Sequence, residues 1–273
     1  MKNILAFLLC FVSFQVNALS LDLSDGESSD IEVYNGGDKA FEIIYMHGKN
    51  SKPVIRPAEK LFEELSDAGY TVYSAEMPWS REKYRGTQKT ANEIITQLTK
   101  KINAKGKQTI LIGHSMGASY AVIYAAQSGK NIAGVIPIAF AHVPQMNERF
   151  QNETAESVTK AIQMVATSKG KETDDFNDLN KGESYEISAT AEYYKSFYDP
   201  ETLPDASEVI KTITTPMLWI SAQRDRLTEI YMHDDIFETL PKNEKSTQIY
   251  VKGNHVAVLK FSSESIINWI SKL

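Results

Sequence analysis

Gly113-His114-Ser115-Met116-Gly117 lies between an apolar run at 109–112 and a helix-forming run at 118–126. A Gly-x-Ser-x-Gly pentapeptide in that setting is a nucleophile elbow: the serine sits on a sharp strand-to-helix turn with its hydroxyl raised above the sheet. Glycines flank it because strand and helix pass too closely there for a side chain. The chemistry implied is nucleophilic catalysis by Ser115.

A serine hydroxyl attacks poorly at neutral pH and needs a base beside it. Imidazole suits that task, and a carboxylate must then fix its tautomer and stabilise the imidazolium. Behind an elbow of this kind the order along the chain is Ser, acid, His. Asp225 stands in Ser221-Ala222-Gln223-Arg224-Asp225-Arg226, just after a strand pattern, and His255 stands in Lys252-Gly253-Asn254-His255, just after another. Asp234 and Asp235 compete with Asp225 but fall on a helical pattern. Of the other histidines, His114 is inside the elbow, His142 precedes the acid, His233 falls on a helical pattern and His47 belongs to His47-Gly48-Lys49-Asn50. That last tetrapeptide follows an apolar run and is the natural source of one oxyanion donor, the Lys49 N–H. The other is the Met116 N–H, at the start of the helix after the nucleophile, where the helix dipole helps. His47 reads as packing beneath the loop.

These residues need strands and helices to bring them together. Strand patterns are expected at 41–46, 70–75, 109–112, 132–139, 216–221 and 247–251, and helices at 56–67, 87–105, 116–128, 230–240 and 262–272. In the second helix Ala91, Ile94, Ile95, Leu98 and Ile102 recur at the spacing of one buried face. Alternating β and α units imply an α/β fold, a mostly parallel central sheet flanked by helices. Residues 141–215 break the rhythm. They are polar, with a helical pattern and an aromatic group at Tyr193, Tyr194, Phe197 and Tyr198. They read as a helical cap insertion over the site, since ligands bind beyond the carboxyl ends of the strands. The alternative is a surface excursion whose aromatics bury their own small core. Trp79, His142 and Tyr194 are the candidate substrate-binding residues, and for each a purely structural role is the competing reading.

With His-Gly after the strand at 41–46, Gly-His-Ser-Met-Gly at the elbow, Asp in a Ser-x-x-x-Asp loop and Gly-Asn-His near the end, the chain resembles the bacterial serine hydrolases of the α/β-hydrolase fold. The resemblance covers about residues 40–273. It implies a sheet of up to eight strands, a Ser115–Asp225–His255 triad and no cofactor. Most such relatives act on carboxylic esters, some on peptides or amides. One departure stands out: Lys49 and Asn50 replace the small or apolar residues common after His-Gly, so the Lys49 side chain is expected either at the substrate or in solvent.

Bulk properties narrow the rest. A chain of 273 residues suits one large α/β domain. A formal net charge of −6 without a basic cluster argues against a nucleic-acid partner or an anionic membrane surface. Lys2, an apolar stretch at 4–16 and Val16-Asn17-Ala18 form a secretory signal pattern for residues 1–18, too short for a stable membrane span. Residues 19–39, rich in Ser, Asp and Gly, read as a loose arm, with a possible edge strand at 31–34, before the hydrolase domain at 40–273. Export to the periplasm or beyond is the expectation. Cleavage would remove Cys10, the sole cysteine, leaving no disulfide and no thiol nucleophile. No His-Glu-x-x-His or close His/Asp cluster suggests a metal. The sequence carries no signal for oligomeric state. Three functions remain in play: an esterase with a small-molecule substrate; a peptide or amide hydrolase, for which Glu153, Glu156, Asp174 and Asp175 could bind a free amino terminus; and a non-catalytic binding protein on a hydrolase fold.

Overall fold

The computed structural model describes residues 16–81, 83–128, 131–180 and 182–273. The expected signal peptide therefore lies outside the described residues except for 16–18. The described residues start with a hairpin, β1 (Val16–Asp22) and β2 (Ser28–Tyr34), paired in register from Val16↔Tyr34 to Asp22↔Ser28. This corrects the expectation of a loose arm over 19–39. Leu21, Leu23, Ile31 and Val33 are buried, and Ser24 caps the turn through its N–H and hydroxyl to Glu93. A short alternating pattern amid Ser, Asp and Gly is enough for an edge hairpin when a sheet is available to receive it.

The alternating part follows. β3 (Phe41–Met46) leads to α1 (Arg56–Asp67), β4 (Val72–Ala75), α2 (Gln88–Asn103), β5 (Gln108–His114), α3 (Met116–Ser128) and β6 (Ile132–Ile138). α2 starts from a capping box in which Thr87 accepts from the Lys89 N–H and the Thr90 hydroxyl accepts from the Thr87 N–H. The strand order is β1-β2-β4-β3-β5-β6, parallel from β4 onward, with the β1–β2 and β2–β4 pairs antiparallel. Period two divides the core. Ile110 and Ile112 of β5 face a cluster with α1 residues Ala58, Leu61, Phe62 and Leu65, while Leu111 faces α2 and α3.

After β6 comes the insertion: α4 (Glu148–Ala166), a hairpin of β7 (Thr173–Asn180) and β8 (Glu183–Thr190), α5 (Ala191–Tyr198) and the short α6 (Ala206–Val209). It is helical at α4 and α5 as expected, but the polar stretch between them forms a separate two-stranded sheet. The alternation of buried Phe176 and Asp178 with exposed Asp175, and of Ile187 with Glu186, explains why this stretch is not helix. β9 (Leu218–Ala222) then rejoins the sheet beside β6 and is followed by α7 (Leu227–Ile230) and α8 (His233–Glu238). The single helix expected over 230–240 is interrupted at Met232, which is left-handed with φ 42°. β10 (Thr247–Val251) makes the eighth strand, and α9 (Ser263–Ile270) closes the chain on the α1 side of the sheet. No helix among the described residues is long and apolar enough to cross a membrane.

Candidate active site

A parallel sheet delivers the residues after each strand to one edge, and the sequence-predicted residues meet there. Ser115 follows β5 in a left-handed conformation, φ 57°. For a non-glycine residue that conformation costs about 1–3 kcal/mol and must be held by its surroundings. The surroundings are close backbones. A Cβ on Gly117 would lie 2.2 Å from the Met46 carbonyl oxygen, and one on Gly113 would lie 2.0 Å from that of Gly117. Gly117 is therefore demanded by contact between α3 and the end of β3, and Gly113 by contact between the end of β5 and the first turn of α3.

Asp225 follows β9 and His255 follows β10. Asp225 Oδ2 accepts a 2.6 Å hydrogen bond from His255 Nδ1–H, and His255 Nε2 lies 2.9 Å from Ser115 Oγ. With Nδ1 protonated toward the carboxylate, Nε2 is left as the acceptor for the Ser115 hydroxyl. The Asp225 side chain is 3% exposed and that of His255 is 26% exposed, so the carboxylate is shielded while the imidazole is open to a ligand. Burial works to raise the Asp225 carboxyl, but hydrogen bonds from His255 and the Leu227 N–H, together with the His255 charge, bring it below its usual value. Of the rivals, Asp234 is turned to other partners, accepting from Gln248 and from the Tyr250 hydroxyl, and Asp235 is exposed on α8. His233 is buried as a structural residue, donating from Nε2 to the Phe140 carbonyl and accepting from the Ser221 hydroxyl.

The loop after β3 passes beside the serine: a Cβ on Gly48 would meet Ser115 Cβ at 3.1 Å and His114 Nδ1 at 3.2 Å. Neither the Lys49 nor the Met116 backbone N–H donates to a protein acceptor among the described residues. His47 lies under the loop. It donates from Nδ1 to the Gly48 carbonyl and accepts the Met77 N–H at Nε2, and its own carbonyl accepts from Trp79 Nε1–H.

The Lys49 side chain does not go to solvent. It is 7% exposed and turns into the insertion, where Nζ lies 2.6 Å from Asp178 Oδ1 and donates to the Leu179 carbonyl at 2.8 Å. Asp178, wholly buried on β7, also accepts from the Tyr185 hydroxyl at 2.6 Å, and Asn50 donates to that hydroxyl. Burial alone would raise the Asp178 carboxyl, but the Lys49 charge and the hydrogen bonds from Lys49 and Tyr185 bring it below the usual carboxylate range. Sequence reasoning missed Asp178 and Tyr185. They belong to no motif, and their one signal was the unusual Lys49-Asn50 pair they answer.

The three candidate substrate-binding residues are core residues here. Trp79 and Tyr194 are 0% exposed and His142 is 7% exposed. Trp79 packs on Tyr120 and Phe197, Tyr194 stacks between Phe176 and Tyr198, and His142 donates to the Phe197 carbonyl. Aromatic residues three and four apart on α5 share the face that joins the insertion to the main core, which is why they are covered. A cavity of about 440 Å³ opens beside Asp225, walled by Gln223, Thr228, Glu229, Asp235 and Tyr250, and Ser115 is not part of its wall. The four acids suited to an amino terminus stay on the insertion's surface. Asp174 pairs with Lys160, Glu153 with Ser184 and Arg149, and Glu156 and Asp175 are exposed. No group of three or more His, Cys, Asp or Glu residues among those described could hold a metal.

A family model described as "Serine aminopeptidase, S33" matches residues 39–259. No curated protein matches the chain. Among solved structures, Est1E from Butyrivibrio proteoclasticus is similar at 15% identity and TM-score 0.66, covering 93% of this chain and 98% of its own. A monoacylglycerol lipase of Paleococcus ferrophilus is 19% identical with TM-score 0.64, over 89% and 96% of the two chains. The structure of DcsB with a substrate analogue aligns at 14% identity and TM-score 0.70, over 94% and 97%. At such identities these likenesses establish the fold, which is the α/β-hydrolase fold.

Proposed function

Because the chain belongs to the serine aminopeptidase S33 family of α/β-hydrolase-type serine hydrolases, we propose that it cleaves carboxylic esters of small or medium acyl groups through an acyl-enzyme. The observation that carries this reading is the continuous hydrogen-bonded chain Ser115–His255–Asp225. In the proposed reaction Ser115 Oγ attacks the ester carbonyl while His255 Nε2 takes the hydroxyl proton, and Asp225 stabilises the resulting imidazolium. The Met116 and Lys49 N–H groups hold the oxyanion of the tetrahedral intermediate. His255 returns the proton to the leaving alcohol. Water, activated by the same imidazole, then releases the acid. The aromatic side chains that could have walled a long acyl channel are packed solid, which supports the smaller acyl group. Export is part of the reading, supported by the signal pattern at residues 1–18.

The test is intact mass after exposure to a fluorophosphonate, with Ser115→Ala as control. One adduct on the parent protein and none on the variant is expected, together with loss of ester turnover by several orders of magnitude in the variant. Undiminished ester hydrolysis by Ser115→Ala would end the reading. The family's description favours a second reading, cleavage of aminoacyl amides by the same three residues. A kcat/KM comparison of p-nitrophenyl esters with aminoacyl p-nitroanilides separates the two, and the surface placement of the four insertion acids supports the esters.

A further inference from the structure

The loop at 47–50 is fastened at two ends to two different bodies. At the rear, His47 and Asn50 are tied to the main domain: the Met77 N–H donates to His47 Nε2, Trp79 Nε1–H donates to the His47 carbonyl, and the Asn50 N–H donates to the Trp79 carbonyl at 3.0 Å. At the front, the side chains of Lys49 and Asn50 reach β7 and β8 of the insertion through Asp178, Leu179 and Tyr185. The Lys49 N–H lies between these anchors, on the segment that passes Ser115.

An apolar residue would fill the place of Lys49 at lower cost. The ammonium lies 5.2 Å from the Phe150 ring centroid and 5.6 Å from that of Tyr198, in surroundings suited to a hydrophobic chain. Replacing a buried ion pair by packed hydrophobes is often neutral or stabilising, so stability alone gives no reason for this pair. What a charged, multiply bonded anchor adds is direction. The Asp178 carboxylate accepts from Lys49, from Tyr185 and from the Leu179 N–H, which fixes its oxygens, and these fix Nζ.

We propose that Asp178 is a positioning residue: by clamping the Lys49 side chain it holds the Lys49 backbone N–H in oxyanion geometry, so that seating of the insertion and assembly of the oxyanion hole are one event. This rests on the ester-hydrolase reading above. It assigns to the β7–β8 hairpin a part in catalysis that needs no contact with substrate.

The experiment compares the full chain with Asp178→Asn and with the double variant Lys49→Met/Asp178→Leu, which leaves no orphaned charge. Melting temperature, kcat and KM on p-nitrophenyl butyrate, and amide exchange across residues 45–51 are measured for each. Loss of one oxyanion donor costs about 10²–10³ in kcat, so a displaced donor is expected to cost about tenfold to a hundredfold with KM changed less than about threefold. The double variant is expected to recover the melting temperature while kcat stays about tenfold low and the 45–51 amides exchange faster. A double variant with parental kcat, or one altered in KM alone, overturns the proposal. If the parent shows no Ser115-dependent turnover, it is the hydrolase reading that fails. Exchange then decides the clamp: faster exchange at 45–51 in the refolded double variant supports it, and unchanged exchange overturns it.

Discussion

His114 Nε2 lies 2.7 Å from the backbone carbonyl of His255. A carbonyl can only accept, so His114 donates from Nε2, and the residue next to Ser115 holds the loop that carries His255. Burial and the neighbouring His255 charge push His114 down to about 3, so it stays a neutral donor at any working pH. Replacing it with Phe keeps a ring of similar shape and strands the carbonyl. A buried group left unpaired costs about 1–3 kcal/mol. The variant His114→Phe is expected to keep its fluorophosphonate adduct at Ser115 while kcat falls about tenfold. Unchanged kcat would show that the His255 loop holds itself.

Asp225 is shielded and hydrogen-bonded to His255 Nδ1. Asp225→Asn presents an amide that can donate to the imidazole and so favours the wrong tautomer, with no acceptor left for the serine proton. A loss of about 10⁴ in kcat is expected by the analogy of other triads, with little change in melting temperature. Steady-state kinetics checks it, and a loss under tenfold would move the acid's role to another residue.

The glycines around Ser115 differ in what they would meet. A Cβ on Gly113 or Gly117 strikes backbone oxygens at 2.0 and 2.2 Å, whereas one on Gly48 presses Ser115 Cβ at 3.1 Å. Gly113→Ala and Gly117→Ala are expected to prevent folding, because β3, β5 and α3 cannot separate without opening the core. Gly48→Ala is expected to fold and lose activity. Soluble yield, circular dichroism and turnover of the three variants test the ranking.

Four histidines are buried, and burial lowers each of them, His233 included. Burial lowers His47 to about 4, and His114 and His142 to about 3. In the unfolded chain each titrates near 6.5. Folded values lie below unfolded ones, so the unfolded chain binds protons that the folded chain excludes as pH falls from about 6.5 toward 4. The stabilisation is complete above about 6.5 and is lost through that window, by up to about 1.4 kcal/mol per pH unit for each histidine. Urea midpoints measured from pH 7.5 to 4.5 are expected to drop steeply below 6.5, and His142→Gln to show a shallower slope.

Cleavage after Ala18 would cut β1 between Ala18 and Leu19. It would spare the pairs from Leu19↔Ile31 to Asp22↔Ser28 and the buried Leu21 and Leu23. A chain starting at Leu19 is therefore expected to melt close to one starting at Val16. A chain starting at Ser28 loses both leucines, worth about 1.5–3 kcal/mol each, and is expected to melt on the order of 10 °C lower. An N-terminal mass beginning at Leu19 checks the proposed cut, and thermal unfolding of the three chains checks the strand.

By itself the sequence determined the strand–helix alternation and the loops that carry Ser115, Asp225 and His255. Hydrophobic period is a local property, and a parallel sheet brings whatever follows its strands to one edge. The His47-Gly48-Lys49-Asn50 loop was legible for the same reason, since the turn after β3 opens at that edge. Where the local pattern was ambiguous, the outcome was decided by neighbours. The Ser-rich stretch before residue 39 became a hairpin because β4 offered an edge to β2. The polar middle of the insertion became β7 and β8 because Phe176 and Asp178 face inward together. The direction of the Lys49 side chain was beyond any local reading. It depends on a carboxylate 129 residues away that only tertiary structure brings within 2.6 Å. Burial of Trp79, His142 and Tyr194 was equally a tertiary decision, because an aromatic residue looks the same in sequence whether it lines a pocket or closes against a core.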